Sequence, residues 1–132
     1  MKVLTLNLKQ QYFDEIVAGK KTHEYREIRP KTANRYIQYV DVNGKVYAGN
    51  KGNDIPEDID FEAEPIQYDA IKFLTGAYSG KRPYIIVEVK DAQIVYIVDE
   101  DNNPKTFDYE GEEYLEAEID YTLGEIIERS NY

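Results

Sequence analysis

Alternating apolar and polar positions define the first element of the chain. Within residues 2–8, every second position from Leu4 to Leu8 is a leucine, which is the period of a strand buried on at least one side. Asn7 is a residue type that caps helices well, and Gln10 stands three positions later, where a capping box carries Gln or Glu. The pattern therefore predicts a strand that leads directly into a helix.

The next apolar positions have helical spacing. Tyr12, Phe13, Ile16 and Val17 fall on one stripe of an α-helix, so we expect a helix that ends just before Gly19. Glycine commonly follows the last residue of a helix, because the left-handed backbone conformation brings it no Cβ clash. The charged segment after Gly19 is therefore predicted to begin at a helix end.

Residues 22–28 alternate in character and are predicted to form a strand. One face of this strand carries polar and apolar side chains together: Thr22, Glu24, Arg26 and Ile28. A Glu and an Arg two residues apart on one face can direct an ion pair into a cavity, or they can protect an edge strand by charge. Pro30 ends the strand, and residues 32–35 are expected to form a short helical turn.

The strongest turn signal is the dipeptide Asn43-Gly44. It separates the apolar segments 36–40 and 45–48, and it predicts a β-hairpin with a type I′ turn. Residues 49–65 follow and are rich in Gly, Pro, Asp and Glu. We expect a long polar loop there, ordered or half-ordered over one mouth of a barrel, with a substrate-gating lid as the alternative.

The rest of the chain is predicted to be mainly β-structure. Five further strands are expected, at residues 69–74, 84–89, 94–98, 105–109 and 114–121. The alternation in the last of these strands points Leu115 and Ile119 inward, and residues 123–127 are expected to form a terminal turn or short helix. These elements predict an α+β fold, a small mixed, partly closed β-barrel with one or two helices packed on it, in a single domain of residues 1–132.

Composition limits the possible functions. The chain has no cysteine, which excludes disulfides and thiolate catalysis and fits a reducing, cytoplasmic location. No apolar run approaches membrane-spanning length, so no membrane partner is expected. The net charge of −10 argues against bulk, phosphate-driven binding of nucleic acid.

The charge is unevenly distributed along the chain. Residues 1–35 hold eight Lys/Arg and four Asp/Glu, a net of +4, whereas residues 36–132 have a net of −14. The acidic part is typical of a solvated surface that keeps a protein soluble. The basic part can alternatively mark the position of an anionic ligand.

Two kinds of site are not supported by the sequence. With one histidine and no cysteine, a zinc site is not credible, and the glycines lack the strand–turn–helix setting of nucleotide-binding motifs. Asp99, Asp101, Asn103 and Glu110 have the spacing of a calcium loop, but Pro104 stands where that loop requires glycine. We therefore expect a polar hairpin turn in this segment, no metal and no cofactor.

The segment 19–29 concentrates the charged side chains, with four Lys/Arg, the only histidine and two carboxylates. Its candidate ligand-binding residues are Lys20, Lys21, Thr22, Glu24 and Arg26. The Arg26 guanidinium offers a planar fork for a phosphate or carbonyl edge, and a partly buried Lys21 could serve as a base. Glu24 could hold either cation or accept from a donor edge of a base. The structural alternative is an ion-pair lattice that fastens the first helix to the barrel.

A helix followed by Gly-x-Lys-Thr-x-Glu-x-Arg resembles the signature of the ASCH domain, a small β-barrel of the PUA-like superfamily. In this chain the signature is Gly19-Lys20-Lys21-Thr22-His23-Glu24-Tyr25-Arg26. Downstream, the Lys72-Phe73 strand and the Arg82-Pro83 turn resemble the central hairpin of the family. The resemblance implies a cleft lined by the motif that binds RNA or a nucleotide.

One branch of the family is similar to an amidohydrolase of N4-acetylcytidine. In that branch, catalysis is carried by a Lys after the glycine, a Thr three residues later and a downstream Glu. Lys21 matches the lysine, whereas Glu24 occupies the threonine position. If the chain is an enzyme, the resemblance implies Lys21 and Glu24 as its catalytic residues.

Three hypotheses for the function remain open. The first is a module that binds a nucleotide or single-stranded RNA near Lys21, Glu24 and Arg26, with a tyrosine supplying stacking. The second is an enzyme that hydrolyses the amide of a modified nucleoside, with Lys21 as base. The third is a structural domain in which the charged segment is only an ion-pair lattice.

Overall fold

The computed structural model describes residues 1–76 and 81–130. Strands make up 52% of the described structure, with a curled half-barrel sheet and two helices. The predicted fold class, an α+β partly closed barrel, is therefore confirmed. Within the described residues, neither helix is long and apolar enough to cross a membrane.

The helices and strands follow one another in a mixed order. They are β1 (Val3–Asn7), α1 (Gln10–Val17), β2 (His23–Ile28), α2 (Ala33–Tyr36), β3 (Ile37–Asp41), β4 (Val46–Ala48), a 3₁₀ turn (Gly52–Asp54), β5 (Phe61–Pro65), β6 (Ala70–Leu74), β7 (Tyr84–Tyr96), β8 (Thr106–Tyr109), β9 (Glu112–Leu115) and β10 (Ala117–Arg129). The described strands form sheets of order β1-β6-β7-β10-β2, β4-β3-β5 and β8-β9.

The chain divides into two compact units. Unit 1 consists of Met1–Glu24, Gln67–Ala92 and the segment from Tyr121 onward, and unit 2 consists of Tyr25–Ile66 and Gln93–Asp120. Strands β2, β7 and β10 contribute residues to both units. The expectation of a single domain stays a prediction.

The core of unit 1 is built around β6. This strand pairs in parallel with β1 and antiparallel with β7, so that it has a neighbour on each side. Ile71, Phe73, Ile85, Val87 and Tyr121 are fully buried. Burying one such side chain stabilises a fold by about 2 kcal/mol, so this cluster fixes the sheet on which the N-terminal elements lie.

Helix α1 ends as the sequence predicts. Gly19 has a φ of +75°, and its N–H donates to the carbonyl of Ile16 at 3.0 Å. The N–H of Lys20 donates to the carbonyl of Glu15 at 2.9 Å, which completes a Schellman motif. The helix therefore ends in a defined geometry, and the direction of the following residues is fixed.

The predicted N-cap of α1 is wrong. Asn7 is the last residue of β1, and the N-cap is Lys9, whose side chain makes no capping bond. The Oδ1 atom of Asn7 instead accepts a hydrogen bond from Nη2 of Arg82 at 3.0 Å. The Asn7 side chain that the local sequence predicts as a helix cap is therefore hydrogen-bonded to a residue 75 positions away.

The hairpin between β3 and β4 forms where predicted, but its turn type differs. Asn43 does not have a positive φ, which a type I′ turn would require, and only Gly44 enters the left-handed region, at φ +84°. The N–H of Gly44 donates to the carbonyl of Asp41 at 2.9 Å. The loop is thus longer by one residue than a two-residue turn, with the glycine in the left-handed position.

Asp41 holds this hairpin turn together. Its Oδ1 accepts from the backbone N–H groups of Asn43 and Lys45, each at 2.9 Å, and its Oδ2 accepts from the Tyr47 hydroxyl at 3.2 Å. Burial alone would raise the pKa of Asp41, but the two backbone hydrogen bonds, the Tyr47 bond and the nearby Lys45 charge lower it below its usual value. The charged form is therefore preferred in the folded protein.

Because the pKa of Asp41 is lowered on folding, its stabilising effect is present at neutral pH and is lost as pH falls below about 4. We expect Asp41→Asn to reduce the free energy of unfolding more at pH 7 than at pH 3, as measured by urea titration at both pH values. Asp58→Asn, at an exposed position of the same unit, is the control. An Asp41→Asn effect of equal size at both pH values would contradict this account.

The polar loop predicted at residues 49–65 is shorter than expected. Strand β5 occupies its last five residues and pairs with β3, so that Phe61 faces Asp41 in register. The rings of Phe61 and Tyr39 meet edge to face, with centroids 5.5 Å apart. The acidic residues that alternate along this segment, Glu62 and Glu64, are exposed positions of a strand and not part of a loop.

The C-terminal predictions need two corrections. The segments 84–89 and 94–98 were expected as separate strands, but β7 runs unbroken from Tyr84 to Tyr96 because the polar residues between them are exposed strand positions. The terminal turn or short helix expected at residues 123–127 is wrong, since β10 continues to Arg129.

The burial pattern of β10 shows why its length was missed. Ile119, Tyr121 and Leu123 are buried at every second position, so the strand period carries through the predicted strand end. Beyond Leu123 the side chains are mostly exposed, which removes the apolar alternation that would mark a strand. Leu115, expected to point inward, is 50% exposed because β9 ends there and a break at Glu116 precedes β10.

Candidate ligand-binding site

Strand β2 presents the predicted site residues by simple alternation. Glu24 is buried, at 5% exposure, while Tyr25 is half exposed and Arg26 is intermediate. Arg26 therefore follows Glu24 on the same side of the strand, as the sequence predicts, although it is grouped with unit 2. Thr22 lies just before the strand and is exposed, and its carbonyl accepts from the Leu123 N–H at 2.8 Å.

The end of α1 sets the position of Lys21. Its backbone N–H donates to the carbonyl of Glu15 at 3.1 Å, the same oxygen that accepts from Lys20. Two consecutive amides thus donate to one carbonyl at the helix end. These two hydrogen bonds fix the backbone of Lys21. The neighbouring Lys20 side chain is exposed.

The Lys21 ammonium contacts two other elements of unit 1. Its Nζ lies 3.3 Å from Oε1 of Glu24, and it sits over the ring of Tyr12, 5.6 Å from the centroid. The side chain of Lys21 is 19% exposed and that of Glu24 is 7% exposed. Lys21 therefore connects helix α1 to strand β2, and its side chain remains partly exposed.

This geometry has a definite chemical capability. A lysine ammonium carries three N–H donors and no acceptor, and the contact with Glu24 uses one of them. The remaining donors can bind a phosphate or carbonyl oxygen. The Glu24 carboxylate lies beside that oxygen, but its side chain is only 7% exposed, so a ligand N–H can reach only its exposed edge. The pair thus offers a donor and an acceptor side by side.

The ion pair between Glu27 of the same strand and Arg29, just after the strand end, makes a useful contrast. Its Nε–Oε2 distance is 3.2 Å, but the two side chains are 66% and 43% exposed. Solvent-exposed pairs of this kind contribute little to stability. The pair of Lys21 and Glu24 differs in its burial rather than in its length.

Sequence reasoning missed Tyr12 as part of this site. Its position in the apolar stripe of α1 suggested a core residue, but the ring is 40% exposed and lies beneath the Lys21 ammonium. Thr75 was also missed; it is buried, and its hydroxyl lies 3.5 Å from Oε1 of Gln10 on α1. The Tyr12 contact crosses the turn at Gly19 and the Thr75 contact joins residues 65 positions apart, so the helix and strand patterns carry no signal for either.

A comparison with models of known protein families finds a match, and it covers the region that contains Lys21 and Glu24. The model of the ASCH domain matches residues 6–114. The chain belongs to the ASCH domain family. The match includes the whole segment 19–29 and ends before β10. No curated protein and no solved structure shows a significant match to the chain.

ASCH membership sets the broad functional class. It supports a PUA-like domain of the RNA-binding or hydrolase type. The predicted resemblance is thereby confirmed at the level of the family and the fold.

Proposed function

We propose that this ASCH domain binds RNA or a nucleotide through its charged segment, with Lys21 and Glu24 as the central contacts. The observation that carries the proposal is the 3.3 Å contact between a lysine with a partly exposed side chain and a buried carboxylate, next to a fixed helix end. Lys20, Thr22 and Arg26 are the flanking ligand contacts in this proposal.

Charge distribution supports an anionic ligand at this segment. Residues 1–35 carry a net charge of +4 in a chain of −10, so a phosphate group is favoured near these basic side chains over the acidic remainder of the sequence. The few lysines and arginines of this segment can neutralise one or a few phosphates, but not the many phosphates of a long duplex. A nucleotide or a short single strand fits this limit.

The uncharged parts of a nucleotide also find complementary groups. The Glu24 carboxylate can accept from an exocyclic amino group, as acidic side chains do with cytosine. The exposed part of the Tyr12 ring offers a face for base stacking, which proteins use widely for single-stranded RNA. The phosphate, the base edge and the base face are thus matched by three side chains of unit 1.

The test is a fluorescence anisotropy titration with a labelled single-stranded RNA, repeated with mononucleotides as competitors at about 50 and about 150 mM salt. We expect Lys21→Gln to weaken binding at least about tenfold, because the charge is lost while a donor for Glu24 is kept. Lys90→Ala removes one exposed positive charge from the same unit and serves as the control. Absence of binding at either salt, or equal binding by Lys21→Gln, would refute the proposal.

A second candidate function rests on the same contact. A lysine within 3.3 Å of a carboxylate could relay a proton during amide hydrolysis of a nucleoside such as N4-acetylcytidine. Product analysis after incubation with this nucleoside distinguishes the two functions. Turnover that disappears in Lys21→Ala would favour the enzyme, and binding without turnover would favour the module.

A further inference from the structure

Unit 2 contains a cavity that is separate from the Lys21 and Glu24 pair. Its volume is about 280 Å³, and all of its lining residues belong to unit 2. The lining is mainly apolar and aromatic, with side chains from both helical and strand segments. Its principal members are Ile28, Tyr39, Ala63, Tyr96, Phe107 and Tyr114.

One wall of the cavity is a stack of flat groups. Phe107 and Tyr114 are direct partners in the β8–β9 ladder, and their rings are stacked with centroids 5.7 Å apart and an interplanar angle of 23°. The guanidinium of Arg29 lies 4.5 Å from the centroid of Phe107. Stacked planar groups attract a further planar group more strongly than a rounded aliphatic one.

Two further tyrosines add polar edges to the cavity. Burial raises the pKa of Tyr39, and the nearby Tyr96 raises it further, so the Tyr39 phenol stays neutral at physiological pH. A neutral phenol both donates and accepts a hydrogen bond. The cavity therefore has apolar faces with a few polar groups, the usual character of a small-molecule site.

The backbone beside the cavity is closely packed. Gly49 lines the cavity, and a Cβ atom at this position would lie 2.5 Å from the carbonyl oxygen of Ile37 and 2.7 Å from that of Ala33. The contact leaves the chain little room to shift there. This part of the cavity wall is thus a fixed surface rather than a loose surface groove.

Charges around the cavity limit what can bind. A recess of about 170 Å³ shares Arg29 and Phe107 with the cavity and is lined by Glu27, Glu116 and Glu118. Three carboxylates beside one guanidinium disfavour an anionic substituent and favour a hydrogen-bond donor. The cavity therefore disfavours an anionic ligand, whereas the segment around Lys21 is proposed to bind one.

We infer that this cavity binds a planar, uncharged aromatic or heteroaromatic ring that carries a hydrogen-bond donor. An apolar cavity of about 150 Å³ is large enough to bind benzene, so about 280 Å³ admits a two-ring system. The ring would lie against the Phe107 and Tyr114 stack and place its donor toward the carboxylates. The inference concerns unit 2 alone and does not depend on the function proposed for Lys21.

The test compares 2-naphthol with decahydro-2-naphthol, which has the same skeleton and hydroxyl but is not planar. Binding is followed by ¹⁵N–¹H NMR titration of the full chain. We expect 2-naphthol to bind at least about tenfold more tightly and to shift the amides of Ala63, Phe107 and Tyr114. The anion 2-naphthoate is expected to bind more weakly than 2-naphthol.

Matched variants connect the binding to the cavity. Tyr96→Ala should weaken 2-naphthol binding, whereas Tyr25→Ala should not, although both tyrosines are about half exposed, at 52% and 50%. Ala63→Leu, which occupies part of the cavity, should weaken binding while circular dichroism stays unchanged.

Four results would overturn the inference. They are equal affinity for the planar and non-planar probes, no binding of 2-naphthol up to its solubility limit, loss of binding in Tyr25→Ala as large as in Tyr96→Ala, and a dimer in sedimentation whose formation alone shifts the cavity amides in the NMR spectrum.

Discussion

Replacing Gly49 by alanine is expected to lower the free energy of unfolding by about 3 kcal/mol. The new Cβ would meet two backbone carbonyl oxygens, of Ile37 and Ala33, at 2.5 and 2.7 Å. Backbone atoms cannot rotate away as a side chain does, so either helix α2 or the segment carrying Gly49 must shift. The φ angle at Gly49 is not in the left-handed region, so the cost arises from space alone.

Gly52 provides the matched control for this effect. A Cβ there would lie 3.4 Å from the Tyr39 ring, which is ordinary van der Waals contact. Gly52→Ala should therefore change stability by less than about 1 kcal/mol, because the smaller freedom of the unfolded chain offsets small adjustments. Chemical denaturation of both variants is the measurement. Equal stabilities of the two variants would contradict the close packing described at Gly49.

Breaking the contact between Lys21 and Glu24 is expected to have the second largest effect. Lys21→Met leaves a carboxylate that is 7% exposed without this cation, and we expect a loss of about 2 kcal/mol in the free energy of unfolding. Glu24→Leu leaves an ammonium that is 19% exposed and can turn toward water, so a loss of about 1 kcal/mol is expected. The double variant should lose less than the sum of the two.

Urea denaturation of the four proteins in this cycle gives the coupling energy of the pair. The exposed pair of Glu27 and Arg29 at the end of β2 supplies the control, and Glu27→Leu should change stability by less than about 0.5 kcal/mol. If the Lys21 and Glu24 substitutions prove additive, the contact has no energetic role. The buried position of Glu24 would then need another explanation.

Local sequence patterns predicted the elements that local interactions determine. Gly19 ended α1 because a glycine at this position satisfies two backbone bonds within six residues. The alternation predicted that Glu24 and Ile28 share one face of β2, and both prove to be buried. The order of helix, glycine and charged strand was also enough to identify the ASCH family.

Features that depend on distant residues were not predictable in the same way. The sequence predicts Asn7 as a helix cap, but its side chain accepts a hydrogen bond from Arg82, which is distant in sequence. The end of β10 is exposed and so lacks apolar alternation, although its backbone continues the strand.

The chemistry of the two candidate sites also depends on tertiary contacts. Tyr12 acquires its place beneath Lys21 only when the chain after Gly19 turns back along the helix. The cavity of unit 2 brings together residues from Ile28 to Ala117, which no spacing rule connects. Sequence therefore pointed to the charged segment and gave no sign of the cavity.

The most direct test of the proposed function is a ¹⁵N–¹H NMR titration of the full chain with uridine and cytidine 5′-monophosphates. If the charged segment binds a nucleotide, the largest changes in chemical shift will occur at the amides of Lys20, Lys21, Thr22 and Glu24. These changes will be lost in Lys21→Gln. Largest changes at the amides of Phe107 and Tyr114 in unit 2, or no changes with either nucleotide, would contradict it.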